Sequence, residues 1–378
     1  MRVAIFCNDY WPTIGGVQTA VRGIAAGLRA RGSEALVLTR QPGGAPAEEM
    51  LEGSRIRRFT WNLVPATSFA PRALRARREV RDAVLGWRPD AMYAHFVSVH
   101  ALFAWDCARV AGVPLILSFR GNDVVRIAPR SVVTRRTYAA LTRAADANLF
   151  CSPWLMQQAL GASWFRGRAD RVGVLADAVD VSGRPALANP AGEPFVIAGG
   201  RMVHKKGFDL LLRAWASIGD RVDATLWIAG DGPDAGELRA LASSLGLEGK
   251  VRFLGPVPHG ELLGMVEQAV LCVVPSREEP YGIFVLEAQA LGTPVLATAV
   301  GNLPALIEHG TTGYLAPATA EGLADGILAA WCAPNRAHVG SAGKHAPGAR
   351  RDYESLAAEL ETWIERTQTP AAGKAVWS

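Results

Sequence analysis

The 378-residue chain lacks the features of several protein classes. No apolar run approaches the roughly 18 residues that a bilayer-spanning helix needs, and the apolar start at residues 1–5 is too short for a secretory signal peptide. The five cysteines are scattered and contain no C-x-x-C pattern, which argues against a disulfide scaffold and a zinc ribbon. With 49% hydrophobic residues the chain is not largely disordered. These features predict a cytoplasmic protein with reduced thiols.

Positive charge is unevenly distributed along the chain. The whole sequence carries 40 basic and 35 acidic residues, a net charge of +5. Residues 1–180 contain 24 arginines, no lysine and 14 acidic residues, whereas residues 181–378 contain 16 basic and 21 acidic residues. The first part therefore has a net charge of +10 and the second a net charge of −5, so the two parts are expected to meet different partners.

Short apolar segments alternate with helical patterns in both parts of the chain. Strand–helix alternation predicts α/β domains with parallel sheets covered by helices on both faces. Ligands of such sheets bind beyond the C-terminal ends of the strands, so a cleft between two doubly wound domains is the expected site. The predicted strands lie at 3–6, 35–38, 91–95, 114–119, 148–151, 195–198, 225–229, 251–254, 270–274 and 295–297, with helices at 208–218 and 303–309 among the segments between them.

A stretch with three prolines and no periodicity separates the two parts. It spans residues 181–194 and is typical of a linker between domains. We therefore predict an N-terminal domain over residues 1–180 and a C-terminal domain over residues 195–345. A closing segment over residues 346–378 contains a predicted helix at 353–366.

The string from Arg277 to Ala288 places two carboxylates around the predicted start of a helix. The amides of residues 282–284 have no intrahelical acceptor there and form an anion site together with the helix dipole. Glu279 and Glu287 flank this site and can accept hydrogen bonds from hydroxyl groups. A nucleotide-sugar offers both a phosphate for the amides and hydroxyls for the acids. Glu279 alone is equally consistent with an acid stabilised by the dipole.

A second string, G-G-R-M-V-H-K-K-G-F at 199–208, follows an apolar strand and opens a helix. Arg201 and Lys206 lie on the intervening loop, where two cations can clamp a diphosphate. Two of the five lysines of the chain lie in this loop. The alternative is a pair of solvated loop bases, and His204 is interpreted as an ordinary loop residue because no predicted acid lies near it.

The turn between the first strand and the first helix carries the glycine pair Gly15 and Gly16. Glycines at such a turn let the backbone approach a phosphate closely. The pattern is not G-x-G-x-x-G, and no acid follows the second strand to hold a ribose, so a dinucleotide site is not indicated. By itself, the pair is more often simply a turn.

Polar residues follow two further strands of the first part. Each alone is more often a structural cap than a catalytic group, but at the open end of one sheet they are candidates for sugar or acceptor contacts. These residues are His95, Arg120, Asn122 and Asp123.

No D-x-D sequence occurs in the chain, nor do H-E-x-x-H, G-x-S-x-G or a P-loop lysine motif. The charge of a departing diphosphate would therefore be met by Arg201, Lys206 and helix amides rather than by a chelated divalent cation. We expect no metal and no cofactor beyond a nucleotide-sugar co-substrate.

Taken in chain order, the motifs resemble the GT4 family of retaining glycosyltransferases, which have the GT-B fold of two Rossmann-like domains facing across a cleft. The resemblance covers nearly the whole chain and is most specific over residues 195–315. It implies that the C-terminal domain binds the nucleotide-sugar and that the N-terminal domain is on the acceptor side. It also implies that the helix predicted at 353–366 crosses back to the N-terminal domain. The motifs that carry it are Gly15-Gly16, the loop from Arg201 to Gly207, Gly230-Asp231-Gly232-Pro233, Phe253-Leu254-Gly255 and the E-x₇-E string from Glu279 to Glu287.

The resemblance implies a role for each donor-site residue. Arg201 and Lys206 bind the donor diphosphate and stabilise it as it leaves, while Glu279 orients the donor sugar. Glu287 holds the ribose hydroxyls. The remaining donor contacts that it implies are Gly15, Gly16, Gly282, Ile283 and Phe284, with the backbone from Gly255 to Val257 framing the nucleobase.

The resemblance also implies the type of reaction. It is front-face attack in which the departing phosphate takes the acceptor proton, so that no conventional protein base is needed. A UDP-sugar is slightly favoured over a GDP-sugar, and the acceptor is a lipid-linked glycan, a polysaccharide precursor or a small molecule. The alternatives are a sugar-nucleotide epimerase or hydrolase of the same fold, and a non-catalytic protein that binds nucleotide-sugars.

Two segments depart from the family pattern. Members commonly have H-G-[ST]-D where this chain has Arg120-Gly121-Asn122-Asp123, so an arginine replaces the histidine that approaches the donor sugar. Members commonly have N-G-V-D where this chain has Asp177-Ala178-Val179-Asp180. The first change touches the reaction centre and leaves the role of Arg120 open.

Five arginines crowd one predicted helix of the basic part. A basic helix can dock on anionic lipid headgroups at the inner face of a membrane, or it can be a solvated face. No interleaved aromatic motif suggests nucleic-acid binding. The arginines are Arg72, Arg75, Arg77, Arg78 and Arg81.

Overall fold

The computed structural model describes residues 1–12, 15–60, 69–185 and 192–368, with the side chains of residues 69–74 excepted. The chain divides into two compact units. Unit 1 contains Met1–Ala178 and the residues from Asp352 onward, and unit 2 contains Val179–Arg351. None of the helices in the described ranges combines the length and apolar character needed to span a bilayer.

Unit 1 is built on an eight-stranded sheet with the order β3-β4-β2-β1-β5-β6-β7-β8. Neighbouring strands are parallel, except that the edge strand β3 runs antiparallel to β4. The direction of strand succession reverses between β1 and β5, and doubly wound sheets bind ligands at such a point. The strands are β1 (Arg2–Phe6), β2 (Glu34–Arg40), β3 (Glu48–Leu51), β4 (Ser54–Phe59), β5 (Ala91–His95), β6 (Leu115–Phe119), β7 (Ala147–Phe150) and β8 (Val172–Val174).

The helices of unit 1 include one from the far end of the chain. α13 packs on α1, and its buried residues Leu356, Leu360 and Ile364 join the apolar core under β1. Gly27 allows this approach, because a Cβ atom there would lie 2.1 Å from the carbonyl oxygen of Tyr353. The helices are α1 (Gly16–Ala30), α2 (Phe69–Trp87), α3 (His100–Ala111), α4 (Val132–Ala144), α5 (Pro153–Leu160) and α13 (Tyr353–Gln368).

Unit 2 is built on a six-stranded parallel sheet with the order β11-β10-β9-β12-β13-β14. Apolar clusters cover both faces, so the sheet is doubly wound, with its reversal point between β9 and β12. The strands are β9 (Phe195–Gly199), β10 (Thr225–Ala229), β11 (Val251–Gly255), β12 (Leu271–Val274), β13 (Val295–Thr298) and β14 (Tyr314–Ala316). The helices are α6 (Phe208–Ile218), α7 (Ala235–Ser244), α8 (His259–Gln268), α9 (Ile283–Leu291), α10 (Leu303–Leu306), α11 (Ala320–Cys332) and α12 (Arg336–Gly343).

Each strand predicted from the sequence is present, with ends that agree to within two residues. Four strands were not predicted: β3, β4, β8 and β14. The predicted helix at 303–309 is too long. It ends at Leu306, because Ile307 has an extended backbone and His309 forms a bridge with Gly313.

Candidate functional site

Two loops of unit 2 leave the sheet at its reversal point. β9 and β12 are adjacent and parallel, with Val196 opposite Leu271 and Ile197 opposite Cys272, so the loops that follow them emerge at the same edge. The loop after β9 carries Arg201 and Lys206, and the loop after β12 carries Glu279 and leads into α9. The fold thus brings together the two strings that the sequence analysis singled out.

An ion pair joins these two loops. The Nζ atom of Lys206 donates to Oε2 of Glu279 at 2.5 Å, and the hydroxyl of Ser276 donates to the same oxygen at 3.3 Å. Glu279 is only 9% exposed. Arg201 is exposed and has no ion pair with any described residue. Lys206 and Glu279 therefore neutralise each other, while Arg201, on the same loop as Lys206, has no acidic partner among the described residues.

Arg277 fixes the second loop onto the first. Its guanidinium donates to both carboxylate oxygens of Asp209, at 2.6 and 2.7 Å, and to the carbonyl oxygen of His204 at 2.9 Å. Its backbone amide donates to the carbonyl oxygen of Lys205 at 2.8 Å. Gly207 has a left-handed backbone (φ 67°), and a Cβ atom there would lie 2.0 Å from a carbonyl oxygen of the second loop. The separation of the two loops is therefore set by close packing.

The end of β13 and the loop that follows it also contact the backbone around Glu279. The amide of Asn302 donates to the carbonyl oxygen of Glu279, and its Nδ2 donates to that of Tyr281, both at 3.0 Å. The hydroxyl of Thr298 donates to the carbonyl oxygen of Ser276 at 2.5 Å. These contacts hold the backbone from Ser276 to Tyr281 in place.

The N-terminus of α9 follows directly after this loop. Gly282 is its N-cap residue with φ 104°, and the helix begins at Ile283, so its first amides have no intrahelical acceptor. The ring of Phe284 packs against Gly199, where a Cβ atom would come within 2.9 Å of it. This arrangement suits a phosphate group.

Glu287 lies one turn into α9, and its carboxylate oxygen Oε1 bonds to Nε2 of His259 at 2.8 Å. His259 begins α8, shortly after the segment that runs from Gly255, the last residue of β11, to Val257. The structure therefore places Glu287 beside the segment predicted to frame the nucleobase. The hydrogen bond to Glu287 outweighs partial burial and raises the pKa of His259. The sequence analysis missed His259, although it follows that segment by only two residues.

In unit 1, the glycine pair lies at the start of α1. Gly16 is the first helical residue and Gly15 precedes it with an extended backbone. Residues 13 and 14 of the predicted turn lie outside the described residues. As with α9, the first amides of α1 have no intrahelical acceptor.

Arg120 and His95 belong to a buried polar network centred on the hydroxyl of Tyr93. Arg120 donates to this hydroxyl at 2.9 Å, to Asp177 at 2.8 Å and to the carbonyl oxygen of Leu175 at 3.1 Å. His95 Nδ1 lies 3.1 Å from the same hydroxyl, and burial lowers the pKa of His95 well below its usual value. Contact of Arg120 with a ligand would require it to leave these partners.

Asp123 organises the loops that follow β5 and β6. Its carboxylate accepts hydrogen bonds from the amides of Val97, Arg120, Gly121 and Val124, at 2.7–3.1 Å. It is fully buried, and burial raises its pKa to about 6 despite these bonds. The predicted contact residue thus holds two loops together. Asn122, its neighbour, is half-buried.

Two of the five arginines of the α2 segment bind a carboxylate on α3. Arg77 Nε donates to Asp106 at 2.8 Å and Arg81 Nη2 donates to it at 2.7 Å. Asp106 has a side chain that is only 8% exposed. These two arginines therefore join α2 to α3.

Two further α2 arginines have partners within their own helix. Arg75 pairs with Glu79 and Arg78 with Asp82, each four residues on. The side chain of Arg72 lies outside the described residues. The described basic residues of this helix are therefore compensated by acids.

Among the described side chains, no group of three or more His, Cys, Asp or Glu residues is arranged to hold a metal ion.

Comparison with known protein families shows the family to which the chain belongs. A model described as "Glycosyl transferase 4-like domain" matches residues 15–178, and one described as "Glycosyl transferases group 1" matches residues 183–345. The chain belongs to the GT4 family of glycosyltransferases. The loops that carry Arg201, Lys206 and Glu279 lie within the second match.

Known relatives of this glycosyltransferase extend over nearly its full length. A glycogen synthase of Mycobacterium tuberculosis is 27% identical over 358 residues, covering 86% of this chain and 85% of that protein. Among solved structures, a sucrose-phosphate synthase from Thermosynechococcus elongatus has a TM-score of 0.79 at 23% identity, covering 97% of this chain and 98% of that one. The structure of Anabaena Alr3699/HepE in complex with UDP-glucose has a TM-score of 0.77 at 21% identity, and the match covers 97% of this chain and 100% of that one. The glycosyltransferase has the GT-B fold.

Proposed function

We propose that this glycosyltransferase moves a sugar from a nucleoside diphosphate sugar to a hydroxyl acceptor, with retention of anomeric configuration and without a metal ion. The observation that carries the proposal is the Lys206–Glu279 pair at the reversal point of the unit 2 sheet. Arg201 and the N-terminus of α9 lie on the same two loops. A cation, an acid and free amides are the groups that a diphosphate bonded to a sugar requires.

The pairing of Lys206 with Glu279 gives a simple account of donor binding. The diphosphate brings negative charge, which Arg201, Lys206 and the α9 amides receive. When the Lys206 ammonium turns to the phosphate, Glu279 is released to accept hydrogen bonds from the hydroxyls of the donor sugar. Each charge keeps a partner throughout, which limits the cost of desolvating it.

The same groups serve the reaction. The bond between the anomeric carbon and the diphosphate oxygen breaks, and the acceptor oxygen bonds to that carbon on the same face. The acceptor proton passes to the departing phosphate oxygen, so no protein base is required. Arg201 and Lys206 stabilise the charge that develops on the leaving group, and groups of this kind contribute about 10²–10³-fold to a rate.

We propose UDP-sugar as the donor, in preference to GDP-sugar. The support is the likeness of fold to Alr3699/HepE, whose structure contains UDP-glucose. The acceptor is a lipid-linked glycan, a polysaccharide precursor or a small molecule. The basic unit 1 supplies the acceptor side.

We also propose that the protein associates peripherally with the inner face of a membrane, from the cytoplasm, through α4 rather than α2. Residues 124–145 contain no acidic residue. In the first turn of α4, Val132 is 52% and Val133 is 73% exposed. Exposed arginines beside exposed apolar side chains suit anionic lipid headgroups over acyl chains. The arginines without an acidic partner among the described residues are Arg130, Arg135, Arg136 and Arg143.

A donor panel tests the proposed activity. UDP- and GDP-sugars are incubated with purified protein in EDTA, with and without a crude lipid and glycan acceptor extract, and nucleotide release is followed. We expect release that requires acceptor. A sugar altered without acceptor would indicate an epimerase, acceptor-independent release a hydrolase, and binding without turnover a non-catalytic protein.

A further inference from the structure

We propose that His259 is a positioning residue of the donor site, which holds Oε1 of Glu287 so that Oε2 is left to accept a hydrogen bond from a ribose hydroxyl. The inference rests on the proposed function, since it takes the donor to be a ribonucleotide bound at Glu287. It adds a residue from a second helix to that contact.

The two residues are held at a fixed separation. His259 starts α8 and Glu287 lies on α9, and the two helices share one buried apolar cluster. Leu263 and Val266 of α8 and Val285 of α9 belong to this cluster and are at most 1% exposed. The 2.8 Å bond between Nε2 of His259 and Oε1 of Glu287 therefore joins two helices that pack against each other.

The two side chains of the pair differ in solvent exposure. The side chain of His259 is 41% exposed, whereas that of Glu287 is only 10% exposed. The second carboxylate oxygen of Glu287 has no hydrogen-bond partner among the described residues, and it is not fully buried. A carboxylate with one oxygen held and the other open presents a single acceptor in a defined direction.

The charges around the pair define its pH response. Glu287 on α9 and Asp180, ahead of β9, both favour protonated His259 and raise its pKa. On β12, burial raises the pKa of Cys272, so that its thiol stays neutral beside Glu287. On α8 itself, Glu261 is the nearest acid in sequence. As pH rises through the raised His259 pKa, the charge of Glu287 loses its compensation, so the affinity for an anionic nucleotide falls.

The test compares UDP with 2′-deoxy-UDP by calorimetry, from pH 6 to pH 9, in wild type, His259→Ala and His259→Gln. A hydrogen bond to a charged group corresponds to about tenfold in affinity. We expect wild type to prefer UDP by about tenfold, His259→Ala to lose most of this preference, and His259→Gln to keep part of it through its amide donor. The fall in affinity with pH should be smaller in both variants than in wild type.

His338→Gln is the matched control, because His338 is an exposed histidine of the same unit with no ion pair to a described residue. It should behave as wild type, and far-UV circular dichroism confirms that each variant is folded. If wild type binds and discriminates while His259→Ala discriminates equally and has the same pH profile, the role of His259 is overturned. If wild type does not bind UDP at all, the proposed function is overturned as well.

Discussion

Arg120 and Asp177 form a buried ion pair within unit 1, with Nη1 of the arginine 2.8 Å from Oδ1 of the carboxylate. Their side chains are 4% and 17% exposed. They occupy the first position of each of the two segments that depart from the common GT4 motifs, where histidine and asparagine are usual. Because a buried guanidinium needs a carboxylate partner, we expect the two residues to contribute to stability as a pair.

Arg120→His should destabilise the protein, because it leaves Asp177 partly buried without its cation. Removing one member of a buried pair costs about 3–5 kcal/mol. Adding Asp177→Asn should recover part of this loss, since the double variant no longer contains the unpaired carboxylate. Urea unfolding of the wild type, both single variants and the double variant measures the coupling energy. Additive losses would show that the pair is not coupled.

Glu279→Gln should separate donor binding from turnover. The substitution releases Lys206 from its ion pair, so the affinity for UDP, which has no sugar, should be unchanged or higher. Turnover with the full donor should fall by about 10²-fold, as for other groups that stabilise a transition state. Calorimetry and nucleotide release provide the two measurements. A loss of UDP affinity with unchanged turnover would contradict the role given to Glu279.

Asp106→Asn should change how stability depends on pH. The hydrogen bond from Arg77, together with that from Arg81, lowers the pKa of Asp106 to about 2. A depressed carboxyl pKa contributes stability above the unfolded value near 3.9, and this is lost as pH falls toward the folded value. The variant should therefore be less stable than wild type by about 2 kcal/mol at pH 7. In urea titrations the difference should shrink between pH 4 and pH 2, and a constant difference would count against the assignment.

Neutralising α4 should weaken membrane association more than neutralising α2. Arg135→Gln with Arg136→Gln removes two arginines that lack acidic partners, whereas Arg75→Gln with Arg78→Gln removes two that have them. Co-sedimentation with anionic vesicles at low and high salt measures the difference. Each basic residue near such a surface contributes about 1 kcal/mol. Equal losses for the two double variants, or binding that ignores lipid charge, would contradict the assignment to α4.

The longer apolar strands followed from the sequence, whereas the three-residue strands β8 and β14 and the charged strands β3 and β4 did not. β4 was missed because its sequence, S-R-I-R-R-F, carries three arginines. The fold buries Arg58 to 4% exposure, and its guanidinium donates to the carbonyl oxygens of Pro46 and Trp11 at 2.9 and 2.8 Å. A charged strand becomes an interior one only through such contacts, which no local pattern reveals.

The positions of the loops after β9 and β12 were predictable, because in each case a strand, a turn containing glycine and a helix follow one another in the sequence. The pairings between charged side chains were not predictable from the sequence. Lys206 meets Glu279 across 73 positions and Arg120 meets Asp177 across 57. Such pairs depend on which strands are neighbours in the sheet. The sequence analysis therefore singled out both members of each pair but did not predict that they pair.

In the proposed function, the cations on the loop after β9 receive the donor diphosphate without a metal ion. Calorimetric titration with UDP in the presence of EDTA tests it most directly, in wild type, in Arg201→Ala with Lys206→Ala, and in Lys250→Ala as a control at an exposed ion pair. We predict that wild type and Lys250→Ala bind UDP with equal affinity, and that the double variant binds at least about tenfold more weakly. Equal affinity in all three proteins, or binding in wild type that EDTA abolishes, would contradict the account.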